Sequence, residues 1–372
     1  MAAPGLVERA TGAVTAAVTL PIKVVGKVAT EPILTGSLVL ALTRAPEKYR
    51  GPLLRFLNSK GVSNAHIALL IKSLKYLLAI GVLRKLNTAL NLLALNRWHF
   101  SKPGTPFDFY ATSKPELIVV TGGCSGFGYE MVKGFSKHAR VIILDISPVP
   151  EELEKIPGVH YYQLDVTDFD AIESTAEQIR RKHGNPTVLI NNAGVASATK
   201  IIDSDAQKTD RIFKVNLASH FILIKEFLPG MLRAKKGHIV TVASMASYYA
   251  SPGLVDYCCT KVGALYLHEG LRAELRDYYE DGDCIQLTSV HPSWHSTGIV
   301  KPYEAHLHKH GVRIDPASNV SNAIVEQVLA GRSGQIYMPR SVESATGARN
   351  YPLWVHDVAA YIRRKRAMFE FE

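Results

Sequence analysis

From Leu117 the chain runs Leu-Ile-Val-Val-Thr, then Gly-Gly-Cys-Ser-Gly-Phe-Gly through Gly128, then Tyr129 to Lys137 with Met131, Val132 and Phe135 at helical spacing. An apolar, β-branched run without alternation reads as a strand buried on both faces. Strand, glycine turn and helix in immediate succession form a phosphate cradle. The glycines let the backbone approach a pyrophosphate, and the helix N-terminus offers free N–H groups and the positive end of its dipole. The spacing is G-x-x-x-G-x-G over Gly122, Gly126 and Gly128. A unit of this kind commits the chain to an α/β fold, a doubly wound parallel sheet of Rossmann type.

The segments that follow extend this reading. Arg140 to Leu144 forms a second strand ending at Asp145, about twenty residues beyond the glycines. A carboxylate there accepts hydrogen bonds from ribose hydroxyls and repels a 2′-phosphate. No Lys or Arg occupies Cys124 or Ser125 to receive such a phosphate. NAD is therefore the expected cofactor, with NADP the alternative. A third strand, Val159 to Leu164, runs into Asp165-Val166, placed to flank an adenine. A fourth, Thr187 to Ile190, enters Asn191-Asn192-Ala193-Gly194.

Further on, Tyr257 and Lys261 stand at i and i+4, thirteen residues after Ser244. On a helix that spacing puts both on one face. An ammonium beside a phenol favours the phenolate and draws its pKa from about 10 toward the working range. A nearby hydroxyl can hydrogen-bond a substrate oxygen as charge develops on it.

Thr121 to Gly128, Asp165-Val166, Asn191 to Gly194, Asn216, Ser244, Tyr257 and Lys261 together resemble the signature of the short-chain dehydrogenase/reductases, from about Pro115 to at least Thr297. The resemblance implies a catalytic tetrad of Asn216, Ser244, Tyr257 and Lys261. Tyr257 would be the general acid/base. Lys261 would lower its pKa and hold the nicotinamide ribose, Ser244 would orient the substrate oxygen, and Asn216 would hold a water in a proton relay. Gly122, Ser125, Gly126, Phe127, Gly128, Asp145, Asp165 and Val166 would bind the cofactor. Asn192, Ala193, Gly194, Val290, Pro292 and Thr297 would line it. Where the family has Pro-Gly after the sixth strand this chain has Pro292-Ser293, which could restrict the loop backbone.

The net charge of +10 is a nucleic-acid signal only until it is located. Residues 1–100 hold 13 Lys and Arg against three acids, and the rest of the chain balances. The excess is mixed with apolar runs rather than set in a basic stripe with stacking aromatics, so nucleic-acid binding is not expected. Four cysteines without C-x-x-C spacing suit a reducing compartment.

Ile33 to Thr43 is apolar but shorter than the ~20 residues of a spanning helix. Ile67 to Leu95 carries Lys72, Lys75, Arg84 and Lys85 among leucines and isoleucines at helical spacing. It reads as an amphipathic, cationic helix at a bilayer interface, with lysines snorkelling toward phosphates. A tilted span and an ordinary helical subdomain are the alternatives. Residues 1–112 are thus expected to form a helical, basic, membrane-associating region, and 113–372 the catalytic domain. Tyr351 to Glu372 repeats the pattern with Trp354, Val355, Val358, Ile362 and Phe369 before and after Arg363 to Arg366. Alternating His306, His308 and His310 lack a carboxylate or cysteine at ligand spacing, and no metal is expected.

These readings converge on a membrane-associated oxidoreductase that interconverts a hydroxyl and a carbonyl on a lipophilic small molecule. It resembles the retinol and 17β-hydroxysteroid dehydrogenase branch of the family. Reduction of a polyketide, terpenoid or fatty acyl intermediate is the second enzymatic reading, and a membrane-surface binding protein without chemistry the third. The expected location is the endoplasmic reticulum or a lipid droplet with the catalytic domain on the cytosolic side, and a homodimer is compatible with it.

Overall fold

The structure, a computed structural model, describes residues 28–109, 116–309 and 311–364. His310, Lys365, Arg366 and Phe369 lie outside the described residues. The chain divides into two compact units between Ala94 and Leu95.

The larger unit is built on a seven-stranded sheet. Its strands are β1 (Leu117–Thr121), β2 (Arg140–Asp145), β3 (Val159–Gln163), β4 (Val188–Asn191), β5 (Gly237–Val242), β6 (Ile285–Pro292) and β9 (Gly334–Met338). Their order is β3-β2-β1-β4-β5-β6-β9, with every pairing parallel. β7 (His295–Ser296) and β8 (Asp315–Pro316) form a separate two-residue ladder. Every residue of β1, β4, β5 and β6 is buried. Alternate side chains feed two apolar layers, as a parallel sheet covered on both faces requires. Ile118, Val120, Val141 and Ile143 pack with Met131, Val132 and Phe135 of α4 (Gly126–Phe135) and with Val320, Ile324 and Val328 of α11 (Ala317–Leu329). Val119, Ile142 and Leu144 pack with three other helices: α6 (Phe169–His183), α8 (Ser219–Arg233) and α9 (Val255–Asp277). The shorter helices are α5 (Glu151–Glu154), α7 (Ala206–Phe213), α10 (Glu304–Lys309) and α12 (Leu353–Arg364). The doubly wound sheet is thus as expected. Its strand order reverses between β1 and β4, where a crevice opens at the carboxyl ends of the strands.

The larger unit begins earlier than the expected junction at 112/113, because residues after Leu95 are tied into it. Asn96 exchanges two hydrogen bonds with the Ser333 backbone, donating at 3.3 Å and accepting at 3.0 Å. Arg97 pairs with Asp283 at 2.7 Å, and Phe109 is 4% exposed among the β1 and β2 side chains.

The smaller unit contains α1 (Pro32–Thr43), α2 (Glu47–Ser59) and α3 (Asn64–Leu95). The chain at Thr30 and α1 meet α3 through glycines. A Cβ at Gly81 would lie 2.1 Å from the Thr30 carbonyl oxygen, and one at Gly36 would lie 3.6 Å from Leu78. Small residues that let backbones approach are a device of helices packed in lipid. Lys85 pairs with Glu31 at 3.3 Å. The two-faced pattern expected of α3 is absent. Leu69, Leu70, Tyr76, Ile80, Leu83, Leu86 and Leu92 are exposed at positions that go round the helix, and only Ile67 and Gly81 are buried.

Candidate active site

The glycine turn is a cradle with no spare room. Gly122 and Gly126 adopt φ of +65° and +52°, conformations open mainly to glycine. A Cβ at Gly128 would sit 1.9 Å from the Gly122 carbonyl oxygen. The chain therefore passes close over its own turn and enters α4 with free N–H groups, the arrangement that fits a pyrophosphate. Thr121, the first residue of the glycine-turn signature but not among the expected binding residues, holds the facing wall. Its Oγ1 accepts from the backbone N–H groups of Asn192 and Ala193, both at 3.0 Å. The Asn192 side chain donates to the Thr121 and Gly122 carbonyls at 2.9 and 3.1 Å. Thr297, at the other end of the chain's motif series, lies against Gly126.

A cleft continues from the turn, lined by Asp145, Asp165, Val166, Ala193, Gly194 and Arg211. Asp145 ends β2 almost fully buried, with one carboxylate oxygen accepting from Cys124 N at 2.8 Å and the other from Ser147 N at 2.9 Å. Burial, and then the Asp145 charge, push the Cys124 thiol up to about 12, so it is not a reactive cysteine. Asp165 is held by Thr167 and by Arg211 at 3.3 Å. Arg211 was not among the sequence candidates, because it belongs to no motif and meets Asp165 only in the folded chain. The cleft and cradle fit a nicotinamide dinucleotide.

The catalytic candidates come together at the far end of this crevice. Asn216 lies in a π-helical turn, Lys214–Ala218, a geometry frequent at functional sites. Its Oδ1 accepts from Val195 N at 2.8 Å, and its Nδ2 donates to Val195 O at 2.9 Å and Thr260 Oγ1 at 3.1 Å. Ser244 follows β5, accepting from Ala246 N at 3.1 Å and donating to Pro292 O at 3.4 Å, and it lines the same pocket as Tyr257. Lys261 is 3% exposed. Its Nζ donates to Val242 O at 2.9 Å and stands 5.6 Å from the Tyr257 ring centroid. A Cβ built on Gly194 would lie 3.7 Å from that Nζ and 3.6 Å from Asn216 Oδ1, so Gly194 keeps the approach open.

The electrostatics differ from the sequence expectation. Burial pushes the Tyr257 phenol up to about 12, and the smaller effect of the Ser244 hydrogen bond opposes it. Burial also draws the Lys261 ammonium down to about 8. The lysine lies over the ring rather than at the oxygen, so desolvation outweighs its charge in the chain by itself. Ser293, the departure from the family's Pro-Gly, is not among the residues with positive φ, and its N–H donates to Met338 O at 2.8 Å. Serine fits this turn without backbone strain.

Beside Ser244 and Tyr257 lies an apolar pocket, walled by Met245, Leu254, Trp294, Ile299, Val300 and Tyr303. These side chains come from two stretches of chain, 245–254 and 294–303, that are far apart in sequence, and no motif marks them. Cys258 is buried and accepts from Ser251 N at 3.4 Å, which makes it a packing residue, while Cys259 is exposed.

Known proteins share this architecture. The sequence profile described as short chain dehydrogenase matches residues 116–308. Dehydrogenase RED2 of Cochliobolus heterostrophus is 39% identical over 204 residues, 55% of this chain and 74% of that protein. Retinol dehydrogenase 10-B of Danio rerio is 41% identical over 211 residues, 50% of this chain and 62% of that protein. Human estradiol 17-beta-dehydrogenase 11 is 29% identical over 238 residues, 62% and 77% of the two chains. A structure of 4-hydroxyisoleucine dehydrogenase complexed with NADH shares the fold, with a TM-score of 0.55 at 22% identity over 60% of this chain and 96% of that one. A parallel sheet wound in this order, a glycine cradle and a Ser-Tyr-Lys cluster at the carboxyl ends of the strands agree with these likenesses, and the chain belongs to the short-chain dehydrogenase family of oxidoreductases.

Proposed function

We propose that the protein is a membrane-associated, NAD-preferring dehydrogenase of a lipophilic alcohol, or the reductase of the corresponding ketone or aldehyde. The observation that carries this reading is the apolar, partly aromatic pocket opening directly on Ser244 and Tyr257. A bound nicotinamide supplies the hydride acceptor or donor. In the oxidative direction Tyr257 takes the hydroxyl proton, and in the reductive direction it returns a proton to the carbonyl oxygen. Ser244, which lines the same pocket as Tyr257, holds the substrate oxygen beside it. Lys261 contributes positive charge near the phenol and lies within reach of a ribose at Gly194. Asn216 braces the Val195 backbone and, through Thr260, the helix that carries Tyr257 and Lys261.

The cofactor preference rests on Asp145 and on the lack of a basic residue at Cys124 and Ser125. Membrane association rests on α3, the one described helix long and apolar enough to cross a bilayer, and on its exposed leucines. Relatives named for retinol and estradiol support a lipid substrate. The endoplasmic reticulum or a lipid droplet, with the larger unit in the cytosol, is the location consistent with this. Exposed Phe213, Phe221 and Tyr266 on α7, α8 and α9 are compatible with a homodimer. Detergent-solubilised protein assayed with retinol, estradiol and long-chain alcohols, with NAD and NADP in parallel, tests the proposal. Turnover of at least one, faster with NAD, is expected. Cofactor binding without turnover of any would favour a binding protein.

A further inference from the structure

The pocket beside Tyr257 contains a polar atom that the chemistry above does not use. Ser251 is 5% exposed, lines the pocket together with Ser244 and Tyr257, and its Oγ has no hydrogen-bond partner among the described residues. The rest of the residue is accounted for. Its N–H donates to Cys258 Sγ at 3.4 Å, and its carbonyl accepts from Leu254 N at 3.1 Å. A buried hydroxyl left unpaired is costly. A site that contains one discriminates in favour of ligands that satisfy it, and more strongly than an apolar wall discriminates between shapes.

The surroundings define the partner. No residue lining the pocket carries a charge. A carboxylate or phosphate entering it would lose its hydration without a counter-charge, whereas a hydroxyl, ketone or ether oxygen would lose little and gain the Ser251 bond. The walls otherwise contributed by Met245, Leu254, Trp294, Ile299 and Val300 suit a hydrocarbon body. We propose that Ser251 is a specificity-determining residue that hydrogen-bonds a second, uncharged oxygen of the substrate, so that the preferred substrate is a lipophilic molecule with two oxygen functions. One reacts at Ser244 and Tyr257, and the other is held by Ser251. This inference rests on the hydroxyl–carbonyl reading of the same site.

The test compares matched probes on detergent-solubilised full-length protein with NAD: 1-alkanols and α,ω-alkanediols of six to fourteen carbons, and estradiol with its 3-deoxy analogue. The expected result is that, in at least one matched pair, the two-oxygen probe is favoured about tenfold or more in kcat/KM, mainly through KM. Ser251→Ala should collapse that ratio. Ser251→Thr, which keeps a hydroxyl, should retain most of it and guards against a purely structural effect. The same ratio in wild type and Ser251→Ala would overturn the role of Ser251 and leave the dehydrogenase reading standing. No turnover of any probe by the wild type would overturn both.

Discussion

The side-chain amide of Asn216 donates to Thr260 Oγ1 at 3.1 Å, and Thr260 in turn donates to the Tyr257 carbonyl at 2.7 Å. This short chain of bonds links the π-helical turn to the residue between Tyr257 and Lys261 on α9. Both catalytic candidates are thereby registered to the same point that also clamps the Val195 backbone on the cofactor side. Precise placement of this kind is worth more to an enzyme than the energy of the individual bonds.

On the proposed mechanism, Tyr257→Phe removes the hydroxyl that transfers the proton and leaves the cofactor cleft otherwise intact. Turnover should fall by ~10²–10⁴-fold, the usual contribution of a general acid/base. Cofactor affinity, read by fluorescence titration, should stay within a few-fold of wild type. A variant that retains most of its activity would remove Tyr257 from the mechanism. Because burial raises the Tyr257 pKa, the phenol form dominates at neutral pH. Oxidation, which needs the phenolate, should therefore accelerate from pH 7 to 10, while reduction should not.

The proposed NAD preference rests on the buried carboxylate of Asp145 at the end of β2. Asp145→Asn removes that charge and keeps an acceptor for one of its two backbone donors, Cys124 N or Ser147 N. The kcat/KM ratio of NAD to NADP should move toward NADP by about tenfold, roughly 1.4 kcal/mol. A wild-type preference for NADP would contradict the assignment outright.

Full-length protein should sediment with anionic liposomes, while the fragment 95–372 stays soluble. Basic residues near a bilayer surface contribute ~1 kcal/mol each. Charge reversal at Lys72, Lys75 and Arg84 should weaken an interfacial attachment in a salt-dependent way, whereas a spanning α3 would resist both salt and alkaline carbonate. The shorter fragment 113–372 lacks Asn96, Arg97 and Phe109 and should melt below 95–372. Equal melting temperatures would show that the residues after Leu95 add nothing to the larger unit.

Four of the buried histidines predict an acid limit to stability. Desolvation draws His220, His238 and His268 down to about 3 and His291 to about 4, below the unfolded value near 6.5. Between those values the unfolded chain binds more protons than the folded one, so stability is lost as pH falls below 6.5. Each contributes on the order of 1 kcal/mol per pH unit across its window. Thermal melts from pH 7.5 to 4 should show a steep decline. His220→Leu should flatten it, since both ring nitrogens of His220 lack partners among the described residues and no hydrogen bond to them is lost. An unchanged slope would exclude His220 as a contributor.

The strand–turn–helix at Thr121 to Gly128, the acid ending β2 and the one following β3, and the Tyr257–Lys261 spacing were all legible in the sequence. Their geometry is local: a few residues of backbone conformation or one helical turn decides them. So was the location of the net charge in the first hundred residues. Tertiary structure alone decided what requires distant segments to meet. The apolar pocket draws on residues from Ala196 to Tyr303, Arg211 reaches Asp165 across the crevice, and residues 96–109 belong to the larger unit. It also decided the sign of the Tyr257 shift, because i,i+4 spacing places an ammonium near a phenol but cannot show how completely the surrounding fold excludes water from both.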